Sequence, residues 1–278
     1  MTRSLRLIFI AFLLTDATVV LSQSFYAIRR ERSVIGYVGV GSANYFGELT
    51  NPKSLGTIKY GLNAGLEHFF TNRISGRVEV NWFQISGDDA NANDSRKVRN
   101  LSFVSNNIEA NFVGTINLLP NGRRFYQRQL INFYAFGGIG LLHINPKTEY
   151  NGEMVALQPL QTEGVKYSKF QPVIPFGGGA KLKVGPFFNL TFEAGIRKTF
   201  TDYLDDISVR EYPQRSALSS DLAYTLSKRG DAYVRGNPEA DDWYFMMNAR
   251  IQYYLPYDLA ALRRNKLYTQ KRKSYRKR

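Results

Sequence analysis

The sequence predicts an all-β protein: an eight-stranded antiparallel transmembrane (outer-membrane) β-barrel with a basic C-terminal periplasmic extension. Three observations predict it. Residues 187–200 alternate strictly: Phe188, Leu190, Phe192, Ala194 and Ile196 interleave with Asn189, Thr191, Glu193, Gly195 and Arg197. Period two puts these sets on opposite faces of one strand, and about ten or more alternating residues suit a tilted strand crossing a bilayer. The polar face carries both signs of charge, which a wet or salt-bridged lumen holds and a dry sandwich core holds only at high cost. Third, short and long connections alternate along the chain, as in barrels with tight turns at one end and long loops at the other.

Composition agrees. The 278 residues have no apolar run of membrane-helix length beyond the N-terminus, which excludes a helical membrane protein. Mean hydropathy is −0.32, as alternation produces when half of each strand faces lipid. The 18 Tyr, 19 Phe and 23 Gly suit aromatic girdles and crowded strands. With no cysteine and two histidines, disulfides and thiolate metal sites are excluded, and no cofactor is expected. The net charge of +14 admits nucleic acid, an anionic membrane surface or an acidic protein as partner.

In chain order, residues 1–22 read as a secretory signal peptide. Arg3 and Arg6 form its charged region, residues 7–14 its apolar core, and Val20-Leu21-Ser22 its cleavage site. Export removes nucleic acid from the list of partners. A basic stub (Arg29, Arg30, Glu31, Arg32) precedes eight expected strands, at 34–47, 56–70, 74–86, 100–118, 130–144, 170–184, 187–200 and 242–255. Barrel and tail divide at 23–256 and 257–278. Thr71-Asn72-Arg73 reads as a tight turn, and Val184-Gly185-Pro186-Phe187 as a two-residue turn. The links 119–129, 71–73 and 184–187 fall on the short side; 48–55, 87–99, 145–169 and 201–241 fall on the long side. An even strand count puts both termini in the periplasm and the long loops outside.

Parity along each strand assigns Glu67, Arg77, Glu79, Glu109, Lys181, Lys183, Glu193, Arg197 and Arg250 to the lumen. An eight-stranded barrel is just wide enough for side chains to fill, so these charges are expected to pair and plug it. A selective channel is the alternative. After Pro256 the tail carries Arg263, Arg264, Lys266, Lys271, Arg272, Lys273, Arg276, Lys277 and Arg278 against one acid, Asp258. It reads as a docking arm for an acidic periplasmic protein, or as a solvated or headgroup-bound charge run.

Catalytic signals are sparse. His68 and His143 fall near opposite ends of the barrel and cannot share a site; no Gly-x-Ser-x-Gly motif is present. A lipid-modifying enzyme built on His143 is therefore a third reading, behind a structural barrel and a generic surface barrel that binds an external ligand or the cell wall through its loops and tail. Asp202, Asp205 and Asp206 form an outer-loop acidic cluster. Such carboxylates can hold calcium, but their spacing fits no calcium loop, and a solvated loop is the plainer reading. Gly177-Gly178-Gly179 lacks the Lys-Ser/Thr of a phosphate loop and reads as close strand packing.

Two stretches carry a resemblance. The run from Ile174-Pro175-Phe176-Gly177-Gly178-Gly179 to Phe192-Glu193-Ala194-Gly195-Ile196-Arg197-Lys198-Thr199-Phe200-Thr201-Asp202-Tyr203-Leu204-Asp205-Asp206-Ile207-Ser208 resembles the PorG family of outer-membrane barrels of the type IX secretion system. Residues 39–49 are similar to that family's first strand. The resemblance implies no catalytic residues. It implies a non-enzymatic barrel that ties the periplasmic ring of PorK and PorN to the outer membrane, in an apparatus that serves protein secretion and gliding motility. The loop at 201–241 could also touch the translocon or a surface lipoprotein.

Overall fold

The computed structural model describes residues 32–47, 49, 59–91, 97–122, 124–230, 234–237 and 241–257. The signal-peptide assignment and the tail residues from 258 onward lie outside them. Ten strands follow in order: β1 (Val34–Phe46), β2 (Lys59–Phe69), β3 (Ile74–Asp88), β4 (Ser102–Asn117), β5 (Ile131–His143), β6 (Pro146–Tyr150), β7 (Glu153–Ala156), β8 (Phe170–Val184), β9 (Phe188–Thr199) and β10 (Trp243–Tyr254). Eight of them close a ring, every neighbour antiparallel: β1-β2-β3-β4-β5-β8-β9-β10 and back to β1. All eight expected strands are present, each end shifted by three residues or fewer. The link read as loop 145–169 contains the hairpin β6–β7, which extends the wall from β4. Among its described residues the link 201–241 contains a short α-helix, α1 (Asp221–Ser227), with Ser220 as its N-cap.

The alternation has the predicted consequence. Val38, Val40, Leu62, Leu66, Val78, Phe112, Ile139, Phe192 and Ile251 stand exposed on the outer wall. An apolar surface this large is stable only against hydrocarbon, so the wall is a membrane-spanning face. Aromatic residues border it on the long-loop side. Phe46 stacks on Trp243 at 4.2 Å and Tyr60 packs against Trp82 at 6.1 Å, a belt suited to the headgroup region.

The turns are set by local chemistry. Thr71 Oγ1 accepts the backbone N–H groups of Arg73 and Ile74 and fixes the β2–β3 turn. The β8–β9 link has three residues rather than two, because Gly185 adopts φ +74°, open to glycine without strain. Inside the wall, a Cβ on Gly179 would lie 2.7 Å from the Tyr134 ring. The glycine run therefore makes room for an inward aromatic ring.

Candidate functional site

The lumen is filled in three tiers. In the middle one, two arginines and two glutamates alternate around a ring. Arg77 meets Glu79 at 3.0 Å and Glu193 at 2.6 Å; Arg250 meets the same glutamates at 3.3 and 2.9 Å. Tyr37 donates to Glu79 at 3.0 Å and Tyr134 to Glu193 at 2.8 Å. Asn111 adds a bond to Glu79, and Arg250 Nε donates to Asn63. Toward the turn end, Glu67 accepts from Lys181 at 2.6 Å, Ser75 at 2.6 Å and Gln252 at 3.0 Å. Toward the loop end, Glu109 accepts from Asn81, Asn111 and Tyr244, and Arg197 lies 3.7 Å away. None of the three nitrogens of the Arg197 guanidinium meets an acceptor among the described residues; the group lies over Phe136 at 5.6 Å. Eight of the nine lumen residues assigned from the sequence are buried in these tiers. The ninth, Lys183, is half-buried at the turn-end mouth and donates to the carbonyl of Tyr126.

Charge pairing is what makes this interior tolerable. An unpaired buried ion costs several kcal/mol, and a pair offsets that only when its remaining hydrogen-bonding positions are also filled. Here each of the four glutamates has neutral donors and a cation within 3.7 Å, while the Arg197 guanidinium is left with its positions unfilled among the described residues.

The long loops fold over one mouth into a cap. Its apolar core, with Leu49, Phe103, Leu142, Ile144, Leu157, Leu204, Ile207 and Leu226, is continuous with Phe83, Ile85, Tyr244 and Met246 of the upper lumen. Arg235 stitches three loops together. It donates to Glu163 at 2.7 Å, to Thr162, and to the carbonyls of Ser227 and Asp206. Its own carbonyl accepts from Arg99, which is also held at 2.8 Å by both oxygens of Asp89.

The reading of Asp202, Asp205 and Asp206 as a solvated cluster is corrected here: all three are buried within the cap. Tyr45 donates to Asp205 at 2.8 Å and to Asp242 at 2.7 Å, and the N–H of Ile207 bonds Asp205. Asp206, at φ +69°, accepts from Thr162 and Tyr167. Asp205 and Asp206 thus meet hydroxyls and a backbone amide, and among the described residues no three metal-ligating side chains converge. Burial pushes the Asp206 carboxyl up to about 6, against the pull of the Thr162 and Tyr167 hydroxyls and of Arg235. Burial and the adjacent Asp206 likewise raise the Tyr167 hydroxyl.

The opposite mouth is closed by the turn 118–130. Phe125 packs on Phe187 and Tyr254, beside Ile35. Arg128 pins it, donating to Asn189 and to the carbonyls of Phe125, Gly185, Pro186 and Phe188, with its guanidinium 4.6 Å above Tyr254. Arg32 lies 4.3 Å over Phe187 and donates to the Tyr254 carbonyl. Sequence reading missed these pins and Arg235. Their signal, isolated arginines in polar links, is indistinguishable there from solvated charge.

The histidines stand apart, as their places near opposite ends of the barrel implied. His143 packs on Phe170 at the outer wall near the loop end, with centroids 5.0 Å apart. His68 lies at the turn end, its Nδ1 2.9 Å from the carbonyl oxygen of Ser33. Charge is also uneven along the sequence. Segments 23–33, 70–73, 118–130, 184–187 and 256–278, which contain the short links or flank the first and last strands in the chain, hold sixteen Lys and Arg against two acids, a net +14; twelve of those sixteen lie outside the described residues. The links 47–58, 89–101, 144–169 and 200–242 hold twelve basic and fifteen acidic residues.

These features define a class: a sealed, salt-bridge-filled membrane barrel of the outer-membrane type. No family model matches the chain, and no curated protein does. Among solved structures it is similar to a major outer membrane protein from Thermus thermophilus (15% identity, TM-score 0.42, covering 80% of this chain and 99% of that one). It is also similar to Neisserial surface protein A (9%, 0.40, 80% and 97%) and to outer membrane protein OprG from Pseudomonas aeruginosa (9%, 0.39, 82% and 99%). The fold class rests on the closed ring of strand pairings itself.

Proposed function

We propose that this protein is a non-enzymatic anchor in the outer membrane of a Gram-negative bacterium, oriented with turns and termini in the periplasm and long loops outside. The barrel holds a periplasmic assembly at the membrane. The observation that carries this reading is the uneven charge: the short links and the segments flanking the first and last strands account for a net +14, equal to that of the whole chain. With the lumen filled, the two end faces are the surfaces open to soluble partners, and the strongly basic one suits an acidic protein partner. The PorG-like residues 174–208 name a candidate for that partner, the ring of PorK and PorN in the type IX secretion apparatus, with the nine basic tail residues as its contact.

The test is an affinity pull-down from detergent-solubilised envelopes, comparing the intact chain with one cut after Tyr257. Ring proteins recovered with the intact form alone support the anchor and its arm. Recovery with both forms moves the contact to the turn 118–130. Recovery with neither overturns the secretion reading. A second reading, a surface barrel that binds an external ligand, is favoured by the folded cap, since loops with their own core present a fixed surface. It predicts normal secretion in a deletion strain.

A further inference from the structure

The outer wall is not evenly filled. Between β10, β1, β2 and β3 it carries a groove of about 700 Å3 lined by Gly36, Ala64, Leu66, Val78, Ile251 and Leu255. The register explains it. Gly36 lies opposite Leu66 on one side and Tyr253 on the other, and Val38 opposite Ala64 and Ile251. Small residues at Gly36 and Ala64 leave a trough between longer side chains. The groove lies in the half of the wall nearest the turns, where β1 begins and β10 ends. Within the apolar belt it must be filled by hydrocarbon.

Past Leu66, toward the β2–β3 turn, the same face of the wall carries His68, Phe70 and then Arg73. His68 meets Phe70 edge-on at 5.3 Å. Phe70 in turn lies across the wall at Gly76, where a Cβ would come within 2.8 Å of its ring. Arg73, in the same tight turn, is exposed. Among the described residues of the three turns, Arg73 and Arg124 are exposed, and the turns carry no acid. We propose that this trough and the His68–Arg73 edge form a binding site for an anionic phospholipid of the leaflet at the turn end. An acyl chain fills the trough and the phosphate lies against Arg73. Charge complementarity selects this occupant: a neutral or zwitterionic lipid would fill the trough equally well but gain less from the basic edge. A second groove, of about 620 Å3 between Val40, Phe133, Ala194 and Met247, is lined by no residue of β2, β3 or their turn and serves as a control.

The experiment is native mass spectrometry of the full chain in detergent micelles, equilibrated with equimolar phosphatidylglycerol and phosphatidylcholine of matched acyl chains. Each variant is first checked for its folded band by gel shift. The wild type is expected to retain phosphatidylglycerol preferentially. Arg73→Gln lowers that retention about fivefold, the effect of one basic residue at a membrane surface. Gly36→Leu lowers retention of both lipids by occupying the trough. The wall tolerates a side chain there, because a Cβ on Gly36 meets only Leu255, at 3.5 Å. Ala194→Leu, in the control groove, leaves both unchanged. Equal retention of the two lipids by the wild type overturns the proposal. So does a loss on Gly36→Leu no greater than on Ala194→Leu. If Arg73→Gln leaves lipid retention intact but weakens capture of periplasmic proteins, the basic edge serves a protein and the lipid assignment falls.

Discussion

Two groups of buried carboxylates sit a few strand residues apart and are managed in opposite ways. The lumen glutamates Glu67, Glu79, Glu109 and Glu193 each face a cation. In the cap, Asp206 is held by the Thr162 and Tyr167 hydroxyls, and Asp205 by the Tyr45 hydroxyl and a backbone amide with Arg99 also bearing on it. Arg235 comes near Asp206 but spends its own donors on Glu163, Thr162 and two carbonyls. The lumen carboxylates are thus matched by cations within the wall, whereas burial pushes the Asp206 carboxyl up to about 6 despite its hydroxyl donors. The difference separates a permanent filling from a closure that answers to conditions.

The largest effect expected is on the filling. Arg250→Met leaves Glu79 and Glu193 each short of a cation and costs about 3–5 kcal/mol, read as a lower urea midpoint for the barrel in lipid vesicles. Adding Glu193→Leu to Arg250→Met recovers part of that loss, since removing a whole pair costs less than stranding one partner. Strictly additive losses would mean that the ring acts as independent pairs. Next, Arg235→Met separates loops 144–169 and 200–242 at a local cost of similar size, about 3–5 kcal/mol. Protease cuts within 200–242 multiply while the folded band of the barrel stays. Loss of that band would make cap and wall one cooperative unit and erase the contrast.

Third is pH. The folded cap raises the Asp206 carboxyl from 3.8 to about 6, so the cap favours the protonated form. Its contribution is complete below about pH 4 and is lost as pH rises through 6, a change of up to about 3 kcal/mol. Amide exchange in residues 204–209, corrected for intrinsic rate, should therefore show more opening at pH 7 than at pH 4.5. Asp206→Asn should remove that difference; a slope that survives this change places the titrating group elsewhere. Smallest is Tyr45→Phe, which withdraws one hydroxyl from Asp205 and Asp242 at about 1–2 kcal/mol. It is visible as faster loop proteolysis and leaves the barrel midpoint unmoved.

The wall was legible in the sequence because its physics is local. Phe188 through Arg197 state which side faces lipid without reference to any other strand, and parity alone turned Glu193 and Arg197 inward. Partner choice was not legible. Glu193 meets Arg77 across the lumen, from a strand 116 positions earlier in the chain, and no period records that distance. The cap was the least legible part. Its loops have no repeat, and Thr-Asp-Tyr-Leu-Asp-Asp looks solvated until loop 144–169 folds over it with Thr162 and Tyr167. Arg128 and Arg235 read as surface charge for the same reason.

The ring of Arg77, Glu79, Glu193 and Arg250 has a kinetic consequence. Seven of the eight barrel pairings join strands that follow one another in the wall's chain order; β1–β10 alone brings the two ends of the barrel sequence together. The ring straddles that seam, with Arg77 and Glu79 on β3 and Glu193 and Arg250 on β9 and β10. A slip of one residue as β1 zips onto β10 would leave β10 out of phase with its pleat, with Arg250 turned toward hydrocarbon. The four charges therefore act as a proofreading step on closure: a misregistered seam is left with unpaired ions, and only the correct register completes the circuit.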